Sequence, residues 1–176
     1  MKKILVVVDM QNDFIDGSLG TKEAQAIVGK AAGKIRSCKE EGYTVLGTLD
    51  THAPNYLDTA EGKKLPVKHC IKGTQGWELN PVIEKEMEGC FVVEKTTFGS
   101  LELPQIIEDM AEDEEELRIE LIGLCTDICV VSNALILKAS FPEDEIAVDA
   151  SCCAGVTPEK HLAALETMQS CQITIL

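Results

Sequence analysis

Three residues with the means for covalent chemistry each follow a short apolar run. Asp9 ends Ile4-Leu5-Val6-Val7-Val8, Lys95 ends Phe91-Val92-Val93-Glu94, and Cys129 lies just past Leu117–Leu124, in Gly123-Leu124-Cys125-Thr126-Asp127-Ile128-Cys129-Val130. An apolar run that stops abruptly at a charge reads as a buried parallel strand delivering that charge to its carboxyl end, where open α/β sheets bind ligands. A cysteine between such a strand and a helix meets free N–H groups and the positive dipole end, so a lowered thiol pKa is expected there. Together the three form a constellation in which Asp9 takes the thiol proton, Lys95 stabilises anions and Cys129 attacks a carbonyl. Taken singly, each has a plainer role: a turn cap, a surface cation, a buried cysteine.

A second cluster has the look of metal ligands. Asp50 and His52, in Thr48-Leu49-Asp50-Thr51-His52, stand two residues apart at another strand end, and His69 follows in Leu65-Pro66-Val67-Lys68-His69-Cys70. Oxygen and nitrogen donors of this kind suit zinc, iron or manganese, and three protein ligands leave positions open for water or substrate. Acid–histidine pairs also serve as loop hydrogen bonds, so the spacing alone leaves both readings standing. Cys70 is not expected to ligate, because a zinc–thiolate centre would carry more cysteines at characteristic spacing. His161, in the last helical pattern, is read as structural.

The elements that must hold these residues alternate. Strand-like runs recur at Lys3–Val8, Thr44–Leu49, Phe91–Glu94, Leu117–Leu124, Glu145–Val148 and Gln172–Leu176. Helical patterns cover Lys22–Glu41, with Thr21 as N-cap and Gly42 as stop, then Leu103–Met110, Thr126–Ala139 and Glu159–Cys171 behind Thr157-Pro158. This alternation predicts an α/β fold, a doubly wound, mainly parallel six-stranded sheet with helices on both faces and right-handed crossovers. The exception is Asp50–Leu79, a long, weakly periodic segment of a kind that is often functional. It carries two of the three histidines.

Bulk properties narrow the function. One domain over 1–176 is the natural reading of this length. A formal charge of −14 and a pI near 4.6 argue against nucleic acid and anionic membranes as partners. The acidic run Glu112-Asp113-Glu114-Glu115-Glu116 is expected to be a solvated turn. Met1-Lys2-Lys3 resembles the start of a signal peptide, but Asp9 ends the apolar run too soon, and no stretch is long enough to span a bilayer. The eight cysteines are therefore expected to be reduced, in a cytoplasm.

Val8-Asp9-Met10-Gln11-Asn12-Asp13-Phe14, Lys95-Thr96-Thr97-Phe98 and Gly123–Val130 together resemble the motifs of the isochorismatase-like cysteine hydrolases, and within them the nicotinamidases. The likeness covers nearly the whole chain. It implies Asp9 as base, Lys95 as electrostatic partner and Cys129 as nucleophile. It further implies a cis peptide between Leu124 and Cys125, aiming the N–H groups of Cys125 and Cys129 at a developing oxyanion. Asp50, His52 and His69 match the family's metal ligands, Gly73-Thr74-Gln75-Gly76 follows as in the family, and Glu61 is the candidate fourth ligand. The cofactor implied is a divalent metal ion, zinc first, with iron or manganese as alternatives. The partner implied is a small-molecule amide, whose ring nitrogen the metal would orient while Phe14, Phe98 and Leu124 contact the substrate. The family commonly forms oligomers, so a homo-oligomer is expected.

Departures from the family pattern bear on the substrate. Leu65-Pro66-Val67 has no aromatic where many nicotinamidases carry one, Phe98 replaces a frequent tyrosine, and Cys125 a frequent alanine. Trp77 is read as a packing or interface residue. The nearest rival reading is a cysteine hydrolase of another small C–N substrate, a ureide or carbamoyl amide, whose family members generally lack the metal triad. True isochorismatases do not use the cysteine. A redox protein built on Cys125 and Cys129 would leave Asp9, Lys95 and the histidines unexplained.

Overall fold

The structure, a computed structural model, describes residues 1–111 and 116–176. Most of the acidic run therefore lies outside the described residues; Glu116 is exposed. Six strands, β1 (Lys2–Val8), β2 (Thr44–Asp50), β3 (Phe91–Lys95), β4 (Leu117–Leu124), β5 (Glu145–Ala154) and β6 (Thr174–Ile175), form one sheet in the order β3-β2-β1-β4-β5-β6. Every neighbouring pair is parallel, so the sheet is wholly and not merely mainly parallel. The order reverses between β1 and β4, and the carboxyl ends of those strands flank the crevice where such sheets bind ligands.

Seven helices are described: α1 (Asn12–Ile15), α2 (Lys22–Glu40), α3 (Ala60–Lys64), α4 (Pro81–Glu86), α5 (Leu103–Ala111), α6 (Val131–Ser140) and α7 (Pro158–Ser170). Alternate residues of β1 explain the layering. Ile4, Val6 and Val8 join a core with Leu103 and Ile107 of α5, Ala134 and Leu137 of α6 and Met168 of α7. Leu5 and Val7 join the opposite core with Ile27, Ala31 and Ile35 of α2, Ile83 of α4 and Phe14 of α1. All of Ile4–Val8 is at most 1% exposed, which is why this strand reads as a continuous apolar run and not as an alternating one.

Helix starts follow local chemistry. The Thr21 hydroxyl accepts from the Ala24 N–H at the start of α2, and Thr157 does the same for Lys160, with Pro158 as the first residue of α7. Gly42 follows α2 at φ +80°, a left-handed position suited to glycine.

Several boundaries differ from expectation. β5 runs on to Ala154, through a register shift opposite Leu121–Gly123. Its polar middle, Asp149-Ala150-Ser151, masks the continuation. The expected helix over Thr126–Ala139 opens instead with a π-helical turn, Thr126–Val130. The irregular segment Asp50–Leu79 contains a 3-10 turn at Tyr56–Asp58 and the short α3. The last strand is confined to Thr174–Ile175. Helices α1 and α4, of four and six residues, are too short for a periodicity to declare them.

Candidate active site

The carboxyl ends of β1, β2, β3 and β4 bring Asp9, Asp50, Lys95 and Cys129 together. Asp9 follows β1 directly at φ +47° and is completely buried. Its Oδ1 accepts a 2.6 Å hydrogen bond from the Thr48 hydroxyl, and its Oδ2 lies 2.6 Å from Lys95 Nζ. Lys95 Nζ also donates to Cys129 Sγ at 3.3 Å and to the Thr97 carbonyl at 3.1 Å, and stands 3.5 Å from Asp50 Oδ1. One ammonium therefore touches the three residues that the sequence singles out as base, nucleophile and first metal ligand.

Gly123 makes this convergence possible. It sits at φ +120°, and a Cβ placed on it would stand 2.1 Å from the Val8 carbonyl oxygen. Only glycine lets the end of β4 pass so close to the end of β1. The peptide between Leu124 and Cys125 is cis, as the resemblance implies. The π turn then carries Cys129 beneath the strand ends, where the Asn133 side-chain amide donates to the Cys129 carbonyl at 2.8 Å and to the Phe98 carbonyl at 3.3 Å. Asn133 Oδ1 in turn accepts from the Ser100 N–H at 2.9 Å, binding the helix after Cys129 to the loop after Lys95. The far side of the turn is held by Asp127 Oδ1, which accepts from the Val156 N–H, and by Thr126 Oγ1, 2.7 Å from His161 Nδ1. His161 thereby ties α7 to the π turn.

The electrostatics differ from expectation in one respect. Burial, and then the Asp9 carboxylate beside it, push the Cys129 thiol well above its usual pKa, and Lys95 only partly offsets them. The thiol is 4% exposed and lies inside the π turn, so water cannot stabilise its anion, and desolvation outweighs the helix-end effect expected from position alone. Burial likewise raises the Asp9 carboxyl, against the pull of Lys95. Lys95 gains more from the Asp9, Cys129 and Asp50 charges than burial takes away, so it remains an ammonium. Burial thus disfavours the thiolate and raises the basicity of the facing carboxyl, a pairing suited to proton transfer between them. Burial also pushes the Cys125 thiol up to about 12.

Asp50, His52 and His69 converge next to this group, all buried, with one ligand atom from each lying within 4.8 Å of the others. Asp50 Oδ2 stands 2.9 Å from His52 Nε2 and 3.5 Å from His69 Nε2. Glu61 Oε1, from α3, lies 3.7 and 3.6 Å from the same two nitrogens. Ligands about 2.1 Å from a tetrahedral ion stand about 3.4 Å apart, so donors 2.9–3.7 Å apart are near the spacing a divalent metal needs. The Val67 carbonyl, 2.9 Å from His69 Nδ1, holds that ring with Nε2 turned inward. Burial raises the Asp50 carboxyl, but hydrogen bonds with His52 and His69 and the Lys95 charge outweigh it and hold Asp50 well below the usual carboxylate range.

A cavity of about 270 Å³ opens over both groups, lined by Asp50, Glu61, His69, Cys125 and Cys129 on its polar side. Phe14, Phe98 and Leu124, the residues the resemblance implies for substrate contact, also line it, and so do Leu65, Ile128 and Val156. The Phe14 ring sits 5.5 Å from that of His69, whereas Trp77 stays outside the cavity, its indole N–H donating to the Thr51 hydroxyl. Thr48, Tyr56 and Asn133 are site residues that sequence reasoning missed. Tyr56 is wholly buried against both histidine rings, and its signal, a lone aromatic in an irregular loop, is weak.

Comparison with known proteins agrees with this geometry. Nicotinamidase 1 of Arabidopsis thaliana is 29% identical, over 90% of this chain and 72% of that protein. The pyrazinamidase of Pyrococcus horikoshii, solved in complex with zinc, superposes with a TM-score of 0.82 at 26% identity, covering 100% of this chain and 99% of that one. The N-carbamoylsarcosine amidase of Thermoplasma acidophilum does so with a TM-score of 0.79 at 30% identity, covering 99% and 95%. A family profile described as the isochorismatase domain matches residues 3–176, and the chain belongs to that family.

Proposed function

We propose that the protein is a metal-containing cysteine amidase that hydrolyses nicotinamide, or a close heteroaromatic amide, to the acid and ammonia. The observation that carries this reading is the position of Lys95 Nζ, 2.6 Å from Asp9 Oδ2, 3.3 Å from Cys129 Sγ and 3.5 Å from the metal-ligand candidate Asp50. Nucleophile, base and ligand cluster thus meet at one ammonium, and Cys129, Asp50, His69 and Glu61 line one cavity.

In this mechanism Asp9 takes the Cys129 thiol proton as Sγ attacks the amide carbon, so the thiolate exists only in the course of the reaction. Lys95 stabilises the negative charge that passes between the two residues. The backbone N–H groups of Cys125 and Cys129 receive the oxyanion. When the tetrahedral adduct collapses, the C–N bond breaks and ammonia departs with the proton that Asp9 returns, leaving an acyl thioester on Cys129. Asp9 then deprotonates a water that attacks the thioester, the C–S bond breaks, Asp9 returns that proton to the Cys129 sulfur, and the acid is released. Asp50, His52 and His69, with Glu61 beside them, would hold a divalent ion, zinc first, which would supply a Lewis acid able to orient a ring nitrogen. Phe14, beside His69, and the side chains of Leu124 and Phe98 supply the apolar walls for a planar ring.

A second reading is supported by the 30% identity to the N-carbamoylsarcosine amidase and by the aliphatic Leu65 in the cavity wall. The same triad would then cut a carbamoyl or ureide C–N bond. Ammonia release from nicotinamide by zinc-loaded protein decides between them, with Cys129→Ala alongside. Turnover of roughly 1–1000 per second in wild type and none in the variant is the expected result. No release from folded, zinc-loaded wild type would overturn the nicotinamide reading.

A further inference from the structure

Two side chains of the segment after β1, Gln11 and Asp13, have no part in the chemistry above, yet Gln11 reaches one candidate metal ligand and Asp13 the residue next to another. Gln11 is completely buried. Its Oε1 accepts the Asp50 N–H at 2.8 Å, while its Nε2 donates to the Asp50 carbonyl at 2.8 Å and to the Trp77 carbonyl at 2.8 Å. One side chain thus satisfies both backbone groups of Asp50. Asp13 Oδ2 accepts the N–H of Cys70 at 2.8 Å, the residue directly after His69, and Cys70 sits at φ +47°. The Cys70 carbonyl in turn accepts the His52 N–H at 2.9 Å. The fit is close: a Cβ on Gly76 would fall 2.1–2.4 Å from the Asp13 carboxylate atoms.

We infer that Gln11 and Asp13 are positioning residues that set all three candidate ligands in register with Asp9, the base two residues before Gln11. Gln11 fixes the Asp50 backbone from one side. Asp13 fixes residue 70, which carries His69 on its N-terminal side and holds His52 through its carbonyl. The ligands come from two stretches of chain that a parallel bridge between His52 and Ile71 joins, and Gln11 and Asp13 tie both to the segment that carries the base. Because Asp9, Gln11 and Asp13 alternate along one segment, displacing that segment moves the base and the ligand cluster together. This keeps a bound ion at a constant distance from the reacting thiol. The inference rests on the metal-site reading and not on the identity of the amide.

The test is zinc affinity, measured by competition with a chromophoric chelator well below the melting temperature, on wild type, Gln11→Met, Asp13→Ala and Asp13→Asn. Melting of the metal-free proteins is recorded alongside. Outer-layer partners of metal ligands typically govern affinity by about 10- to 100-fold, and a loss in that range is expected for Gln11→Met and Asp13→Ala, with Asp13→Asn recovering most of it. Gln11→Glu, which keeps the acceptor for the Asp50 N–H and loses the donor, replaces Gln11→Met if that variant does not fold. A merely structural role would lower the melting temperature and leave zinc affinity within threefold of wild type, and that result overturns the inference. Absence of zinc binding by wild type would overturn it too, and the metal-site reading with it. Failure to hydrolyse nicotinamide while zinc still binds would touch only the proposed substrate.

Discussion

Replacing Thr48 with valine removes a single hydroxyl from the catalytic core, and the consequence can be worked through. Thr48 and Asp9 are both completely buried, and the hydroxyl donates to Asp9 Oδ1 at 2.6 Å. Burial raises the Asp9 carboxyl; Lys95 and Thr48 act against it by favouring the charged form. A hydrogen bond to a charged group contributes about 1.5–3 kcal/mol, and each pH unit corresponds to about 1.4 kcal/mol. Without the hydroxyl, Asp9 takes up its proton about one to two pH units higher. In the proposed mechanism attack requires Asp9 as the carboxylate, so the acid limb of kcat/KM moves to higher pH by that amount, and the rate recovers on the alkaline side. Asp9, Lys95 and Cys129 titrate as a set, so the midpoint belongs to the group and not to Asp9 alone. The assay is a pH profile of nicotinamide hydrolysis for wild type, Thr48→Val and Thr48→Ser, the last restoring the donor. An acid limb unmoved or moved to lower pH in folded Thr48→Val would refute the role of Asp9 as the base.

Two other perturbations probe the metal cluster and the strand crossing. Asp50→Ala combined with His52→Ala should reduce bound zinc, measured by elemental analysis after dialysis, to background while circular dichroism is preserved; unchanged metal content would refute the ligand assignment. Gly123→Ala would force a Cβ to within 2.1 Å of the Val8 carbonyl at φ +120°. It should cost about 2 kcal/mol or more and lower the melting temperature by about 4–8 °C, and an unchanged melting curve would sink the close-approach explanation.

Much of the site was legible in the chain because parallel strands announce their own ends. A run such as Ile4–Val8 is apolar on both faces, so the first charge after it marks the carboxyl edge of the sheet. Asp9 and Asp50 follow that rule, Lys95 stands one residue beyond the first charge, Glu94, and Cys129 lies shortly past β4. Caps at Thr21 and Thr157 declared their helices through chemistry confined to one turn. What sequence could not yield depends on contacts between distant segments. Thr48 faces Asp9 because β2 pairs beside β1, and Gln11 meets Asp50 across 39 residues. The raised thiol of Cys129 is of the same kind. Its position in the chain favours the anion, whereas the burial and the carboxylate that oppose it arise only when four strand ends close over one point. Local propensity determines which residues stand at the edge of the sheet; packing decides which touch, and with that their charge.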